Sequence, residues 1–201
     1  MTHREKIDWC IQQHEKTNHY YDNYLPYSFH LRMVVQVFED FKHLLHLLPN
    51  NLFVDSYEVY RGIWEDTDRT FEVVELGCYG HDIIEDTRTT YNDCLNSLKV
   101  GNYLRTEVAE IIRAVTNYGR GRDRNERMPD FVYDDIRNTP GAVFVKLCDR
   151  IANVQYGKLT KSSMHKKYKN ENPHFLQMLG VDVEDHQLKP MVDYLNDLFK
   201  D

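Results

Sequence analysis

The chain reads as all-α, a single helical bundle, and three features of the sequence lead there. Apolar residues recur at helical spacing in the long patterned stretches, with Leu31, Val34, Val35, Phe38, Phe41, Leu45 and Leu48 in one and Leu104, Val108, Ile111, Ile112 and Val115 in another. That period lines one face of an α-helix. No stretch alternates apolar and polar residues with period two, as a half-buried strand would. With 201 residues, 41% of them hydrophobic and 28% charged, the chain can bury one generous core, and no low-complexity segment divides it. Residues 1–201 are therefore read as one domain, with a motif-bearing core over 25–157 and packing helices over 158–201.

Taken in order, Ile7, Trp9, Cys10 and Ile11 predict a short amphipathic helix between Arg4 and Lys16. The aromatic and polar run from Asn18 to Leu25 reads as a loop. Pro26 ends it, and Ser28 is the expected cap of a long helix that runs to Pro49 and carries His30 in its first turn. His43 and His46, on the same helix, read as surface residues. The stretch from Asn50 to Thr70 mixes aromatics with acids and fits a short helix and a surface loop. A helix beginning near Asp68 or Thr70 is expected to carry His81 and the acids after it. Thr89 or Thr90 caps a short helix with Cys94, Leu95 and Leu98, and Tyr103 to Thr116 forms the next. Asn117 to Arg127, with two glycines and four arginines, is a basic loop. Helices are then expected from Glu126 to Asn138, ending at Pro140, and from Gly141 to Gly157, the most apolar of the chain. Lys158, Lys161, Lys166, Lys167 and Lys169 read as a solvated basic face, and Val183 to Lys200 as a closing helix.

A formal charge of −7 argues against nonspecific binding to a nucleic-acid polymer, which needs a basic surface. It leaves room for a small phosphorylated ligand met by a local basic patch. The four cysteines, Cys10, Cys78, Cys94 and Cys148, show no paired spacing; they read as free thiols in a reducing cytoplasm. Neither an apolar run of about 18 residues nor an apolar leader after Met1 is found, so no membrane span or secretory signal is expected. Oligomeric state leaves no mark on the sequence.

The densest chemistry lies between His81 and Asp86, where one imidazole and three carboxylates occupy six consecutive positions. On a continuous helix His81, Asp82, Glu85 and Asp86 would share an arc of roughly 140°, with Ile83 and Ile84 turned to the core. His81 and Asp82 alone cannot enclose a catalytic ion, which needs three or four protein ligands and an open position. His30 and Asp149 are the candidates to complete the set, because both sit in strongly apolar segments where an unpaired charge would cost several kcal/mol.

These residues carry a resemblance. Leu25-Pro26-Tyr27-Ser28-Phe29-His30, His81-Asp82-Ile83-Ile84-Glu85-Asp86-Thr87 and Lys146-Leu147-Cys148-Asp149-Arg150-Ile151-Ala152-Asn153, in that order, resemble the motif blocks of the HD superfamily of metal-dependent phosphohydrolases. Within it they resemble the hydrolase domain of the RelA/SpoT alarmone enzymes and their small stand-alone relatives. The resemblance implies a helical HD-domain bundle that binds one divalent ion through His30, His81, Asp82 and Asp149, with Glu85 and Asp86 as catalytic acids. It further implies that Arg150 braces the site, that Asn153 meets the sugar, and that Tyr27 or Lys146 lines the pocket. Nitrogen and oxygen ligands together suit Mn²⁺, Fe²⁺ or Zn²⁺ better than Mg²⁺, and the resemblance implies Mn²⁺. Arg120 and Arg124, in the basic loop, have the planar forks that match phosphate geometry and are candidate substrate clamps.

The substrate implied is a guanosine tetra- or pentaphosphate alarmone, losing its 3′-pyrophosphate. One departure keeps a second nucleotide, such as the 2′-phosphate of NADPH, in play. Where those hydrolases carry a basic stretch before Pro-Tyr, this chain has His19-Tyr20-Tyr21-Asp22-Asn23-Tyr24. A third alternative is a regulatory HD domain that binds nucleotide without turnover.

Overall fold

The computed structural model describes residues 1–47, 67–100, 106–117 and 128–200. It is predominantly α-helical, as the periodicity requires. Helix α1 spans His3–Lys16. Thr2 and Glu5 close a capping box there, with Thr2 Oγ1 accepting from Glu5 N at 3.2 Å and Glu5 Oε2 from Thr2 N at 2.7 Å, which satisfies two backbone donors that a helix start leaves orphaned. Its inner stripe is Lys6, Ile7, Cys10 and His14. The loop expected after it contains two short strands, β1 at Tyr20–Tyr21 and β2 at Leu25–Pro26, paired antiparallel with Tyr21 opposite Leu25. Two residues a side are too few for any alternation to register.

Helix α2, Tyr27–Phe41, starts from Pro26, and Ser28 lies inside its first turn with no cap bond made there. The helix tightens into a 3₁₀ segment over Lys42–Leu47, so the single helix expected to reach Pro49 is shorter. Helix α3 runs Thr67–Gly80. Here the structure corrects the continuous helix expected through Asp86: His81 and Asp82 form a turn, and a separate helical turn, α4, covers Ile83–Asp86. Just before the break Gly80 lies against Ile112. A Cβ at Gly80 would stand 2.4 Å from Ile112 Cδ1, so any larger residue there would force the Ile112 side chain to shift. Helix α5, Tyr91–Ser97, is capped by Thr90 with Asp93 in a second capping box.

Helix α6, Glu107–Val115, buries Val108, Ile111, Ile112 and Val115. Helix α7, Asp130–Asn138, ends before Pro140 as expected. Helix α8, Ala142–Leu159, starts after Gly141, whose φ of 79° favours glycine. Helix α9, Ser163–Leu179, is one of the packing helices expected over 158–201, and Lys166, Lys167 and Lys169 lie exposed on it as the solvated basic face expected there. It buries Asn172, Phe175, Leu176 and Leu179, with Pro173 inside it. Helix α10, Lys189–Leu198, closes the chain.

Helices α2, α3 and α8 pack mutually, burying Val34, Phe38, Val73, Leu76, Phe144, Val145 and Cys148 in one core. All four cysteines are free and buried. No helix among the described residues is long and apolar enough to cross a membrane. Arg120, Arg124 and most of the stretch from Asn50 to Thr70 lie outside the described residues; His43 is exposed.

Candidate metal centre

The packing of α2, α3 and α8 brings together the four residues singled out as ligands. His30 comes from the first turns of α2, His81 and Asp82 from the turn between α3 and α4, and Asp149 from the middle of α8. Their donor atoms all lie within 4.8 Å of one another. His30 Nε2 stands 3.3 Å from His81 Nε2, 3.4 Å from Asp149 Oδ1 and 3.8 Å from Asp82 Oδ2. His81 Nε2 stands 2.8 Å from Asp82 Oδ2 and 3.5 Å from Asp149 Oδ1. Donors about 2.0–2.2 Å from a common ion stand roughly 3–3.5 Å apart, so the spacing and the mixed nitrogen and oxygen set fit a divalent transition ion.

The chemistry of the donors fits as well. The backbone carbonyl of Cys78 can only accept, so His81 Nδ1, 2.8 Å away, carries a proton. That leaves Nε2 turned to the cluster, the tautomer a metal needs. Both imidazoles are 1% exposed. Burial alone would lower the His81 pKa, but Asp82 and Asp149 outweigh it and hold it well above the ordinary imidazole value. Burial would likewise raise Asp149, yet hydrogen bonds from His30 and His81 keep it well below the usual carboxylate range. The cluster balances its own charge with protons that a cation can replace.

Glu85 and Asp86 sit one turn further along, lining the same cavity of about 230 Å³. Glu85 Oε2 is tied to the end of α6 by Asn117 N at 3.2 Å and Nδ2 at 2.8 Å. Asp86 is held more loosely. Tyr27 donates its hydroxyl to Asp82 and stands 3.4 Å from Asp86 Oδ2, and His19 Nε2 is 3.8 Å from the same oxygen. Burial, then the carboxylates of Asp82 and Glu85, push Asp86 up to about 7.

Tyr27, Lys146, Arg150 and Asn153 also line the cavity. Lys146 is buried, donating to Val115 O at 3.1 Å with Asp149 Oδ2 at 4.0 Å. The Arg150 guanidinium lies between the rings of Tyr168 and Phe175, at 4.4 and 4.2 Å from their centroids, and 3.6 Å from Glu171 Oε2. It braces α8 against α9. Asn153 donates Nδ2 to Asp149 Oδ1 at 2.5 Å and accepts at Oδ1 from the Tyr21 hydroxyl at 2.9 Å. Tyr21, Lys167, Tyr168 and Glu171 reach the cavity without having been singled out from sequence. For the last three the signal was present in the spacing Lys167, Tyr168, Glu171, one face of a helix. No protein-family model, curated protein or solved structure matches the chain.

Proposed function

We propose that this chain is a metal-dependent phosphohydrolase of the HD type, cleaving a phosphoester bond of a small nucleotide. The observation that carries the reading is the convergence of His30 from α2, His81 and Asp82 from the turn after α3, and Asp149 from α8 beside two further acids in an open cavity. A divalent ion held there, Mn²⁺ by the resemblance and Fe²⁺ or Zn²⁺ by ligand type, would acidify a water and offset the charge growing on phosphate.

The rest is done by side chains. Asp86, with a pKa near 7, exchanges a proton at neutral pH, the property of a general acid or base. Glu85, fixed by Asn117, orients. Lys146 and Lys167 bring positive charge to the cavity wall, suited to phosphate oxygens. In the reaction a water oxygen bonds to phosphorus, the bond from phosphorus to the 3′ oxygen breaks, and that oxygen takes up a proton.

The motif blocks favour an alarmone losing its 3′-pyrophosphate. A second substrate, a nucleotide losing a single phosphate such as the 2′-phosphate of NADPH, is favoured by one observation: the hairpin before Pro26 presents no lysine or arginine, and its Tyr21 occupies the Asn153 side-chain carbonyl. Incubation of the protein and Mn²⁺ with a nucleotide panel tests both readings. Pyrophosphate released from guanosine tetraphosphate supports the first and orthophosphate from another nucleotide the second. Tight nucleotide binding without any product would instead identify a non-catalytic domain.

A further inference from the structure

His30 and His81 are held in different ways, and the difference exposes a residue outside every motif. A metal-ligating imidazole ordinarily donates its second nitrogen to a carbonyl or carboxylate, which fixes the ring. His81 does so through Cys78 O. His30 does not: its Nδ1 is buried with no hydrogen-bond partner among the described residues. What holds the His30 ring is packing. The Tyr21 ring lies parallel on it, with centroids 4.6 Å apart and planes 7° from parallel, and Tyr27 meets it edge-on at 5.4 Å.

The same tyrosine acts on a second ligand. Its hydroxyl donates to Asn153 Oδ1 at 2.9 Å, and the amide must then point its nitrogen at Asp149 Oδ1, at 2.5 Å. Without that donor the amide is free to flip and set its own oxygen against the carboxylate. The backbone is shaped to deliver this ring. Asp22 and Asn23 take positive φ of 50° and 66°, which their side chains tolerate better than most. Tyr156 packs edge-on against Tyr21 at 4.9 Å and donates to Asp22 Oδ2 at 2.7 Å, fastening the hairpin to α8.

We propose that Tyr21 is a positioning residue of the cation site, its ring setting the His30 imidazole and its hydroxyl, through Asn153, setting the Asp149 carboxylate. The proposal rests on the metal-centre reading above.

Mn²⁺ affinity measured by titration calorimetry on the wild type, Tyr21→Phe and Tyr21→Leu tests it, with Co²⁺ absorption spectra and melting temperatures in chelator alongside. Tyr21→Phe keeps the stack and loses the hydroxyl, and is expected to weaken Mn²⁺ roughly tenfold; Tyr21→Leu loses both and is expected to approach a hundredfold. The Co²⁺ ligand-field bands should shift in Tyr21→Leu while Tyr21→Phe melts in chelator like the wild type. A Tyr21→Phe variant matching the wild type in affinity overturns the role of the hydroxyl. Unshifted Co²⁺ bands in folded Tyr21→Leu overturn that of the ring. Absence of Mn²⁺ binding by folded wild type is a separate result, and overturns the metal centre together with this assignment.

Discussion

Asp82 and Asp149 on one side, and Asp86 on the other, line one cavity and have opposite electrostatic fates. The first pair faces two imidazoles at 2.8–3.8 Å, and the pKa values of both carboxyls are lowered despite burial. Asp86, four residues after Asp82, is pushed up to about 7 by burial first and then by the carboxylates of Asp82 and Glu85. Residue type does not decide the role here. The partners delivered by tertiary packing do, making Asp82 and Asp149 permanent anions suited to a cation and leaving Asp86 able to trade a proton.

The largest effect that would break this contrast is on the ligand side. Asp82→Ala should remove Mn²⁺ binding from the calorimetric range and reduce turnover to background, with the helical circular-dichroism signal kept. Retained metal binding and turnover would mean that the cluster is only a buried ion-pair network. Asp86→Asn should act differently. Turnover is expected to fall on the order of 10²–10⁴-fold, the usual worth of a general acid or base, with Mn²⁺ affinity nearly unchanged.

Asp86→Asn also has a signature in stability. A carboxyl whose folded pKa lies above its unfolded value stabilises the fold fully only below the unfolded value, near 3.8 here, and loses that contribution as pH rises through about 7. In chelator, the melting-temperature advantage of Asp86→Asn over wild type should therefore grow from pH 4 to 7 and level off above. A constant difference across that range would place Asp86 among ordinary surface acids.

Much of this contrast was legible before any coordinates. His30 and Asp149 stand out as polar residues inside apolar helices, and His81 to Asp86 by density alone. The helical period located α2, α6, α8 and α10 because their apolar stripes are long. The break after Gly80 was not legible, and the close approach of Gly80 to Ile112 beside it joins residues far apart in sequence. Helix α9 was expected only as one of the packing helices after residue 158; that Lys167, Tyr168 and Glu171 on it reach the cavity follows from its packing against α8. Tyr21 looked like part of a loop, and its importance lies wholly in contacts to His30 and Asn153.

The smallest predicted effect sharpens the comparison with a third site, where an imidazole has no carboxylate against it. His14 is 1% exposed, stacked on Tyr27 at 4.2 Å, with its Nδ1 3.1 Å from His19 Nδ1 and its Nε2 without a partner among the described residues. One of the two Nδ1 atoms must accept, so the pair cannot hold two charged rings. Burial first, with only partial relief from Asp82, pushes His14 down to about 3, whereas its chemical twin His81 goes up. A histidine depressed in the fold gives its full stabilisation above the unfolded value of 6.5 and loses it as pH falls from there toward 3, at most about 1.4 kcal/mol per pH unit. The Asp86 effect runs the other way over nearly the same window, so the wild-type curve between pH 4 and 6.5 should be flatter than either group alone would make it. Measured in the Asp86→Asn background, the acid limb should steepen. His14→Phe, which keeps a ring on Tyr27 but cannot titrate, should flatten that limb again. Parallel melting curves for Asp86→Asn with and without His14→Phe would show that His14 is not held neutral, and that its burial beside the metal centre costs the fold nothing in acid.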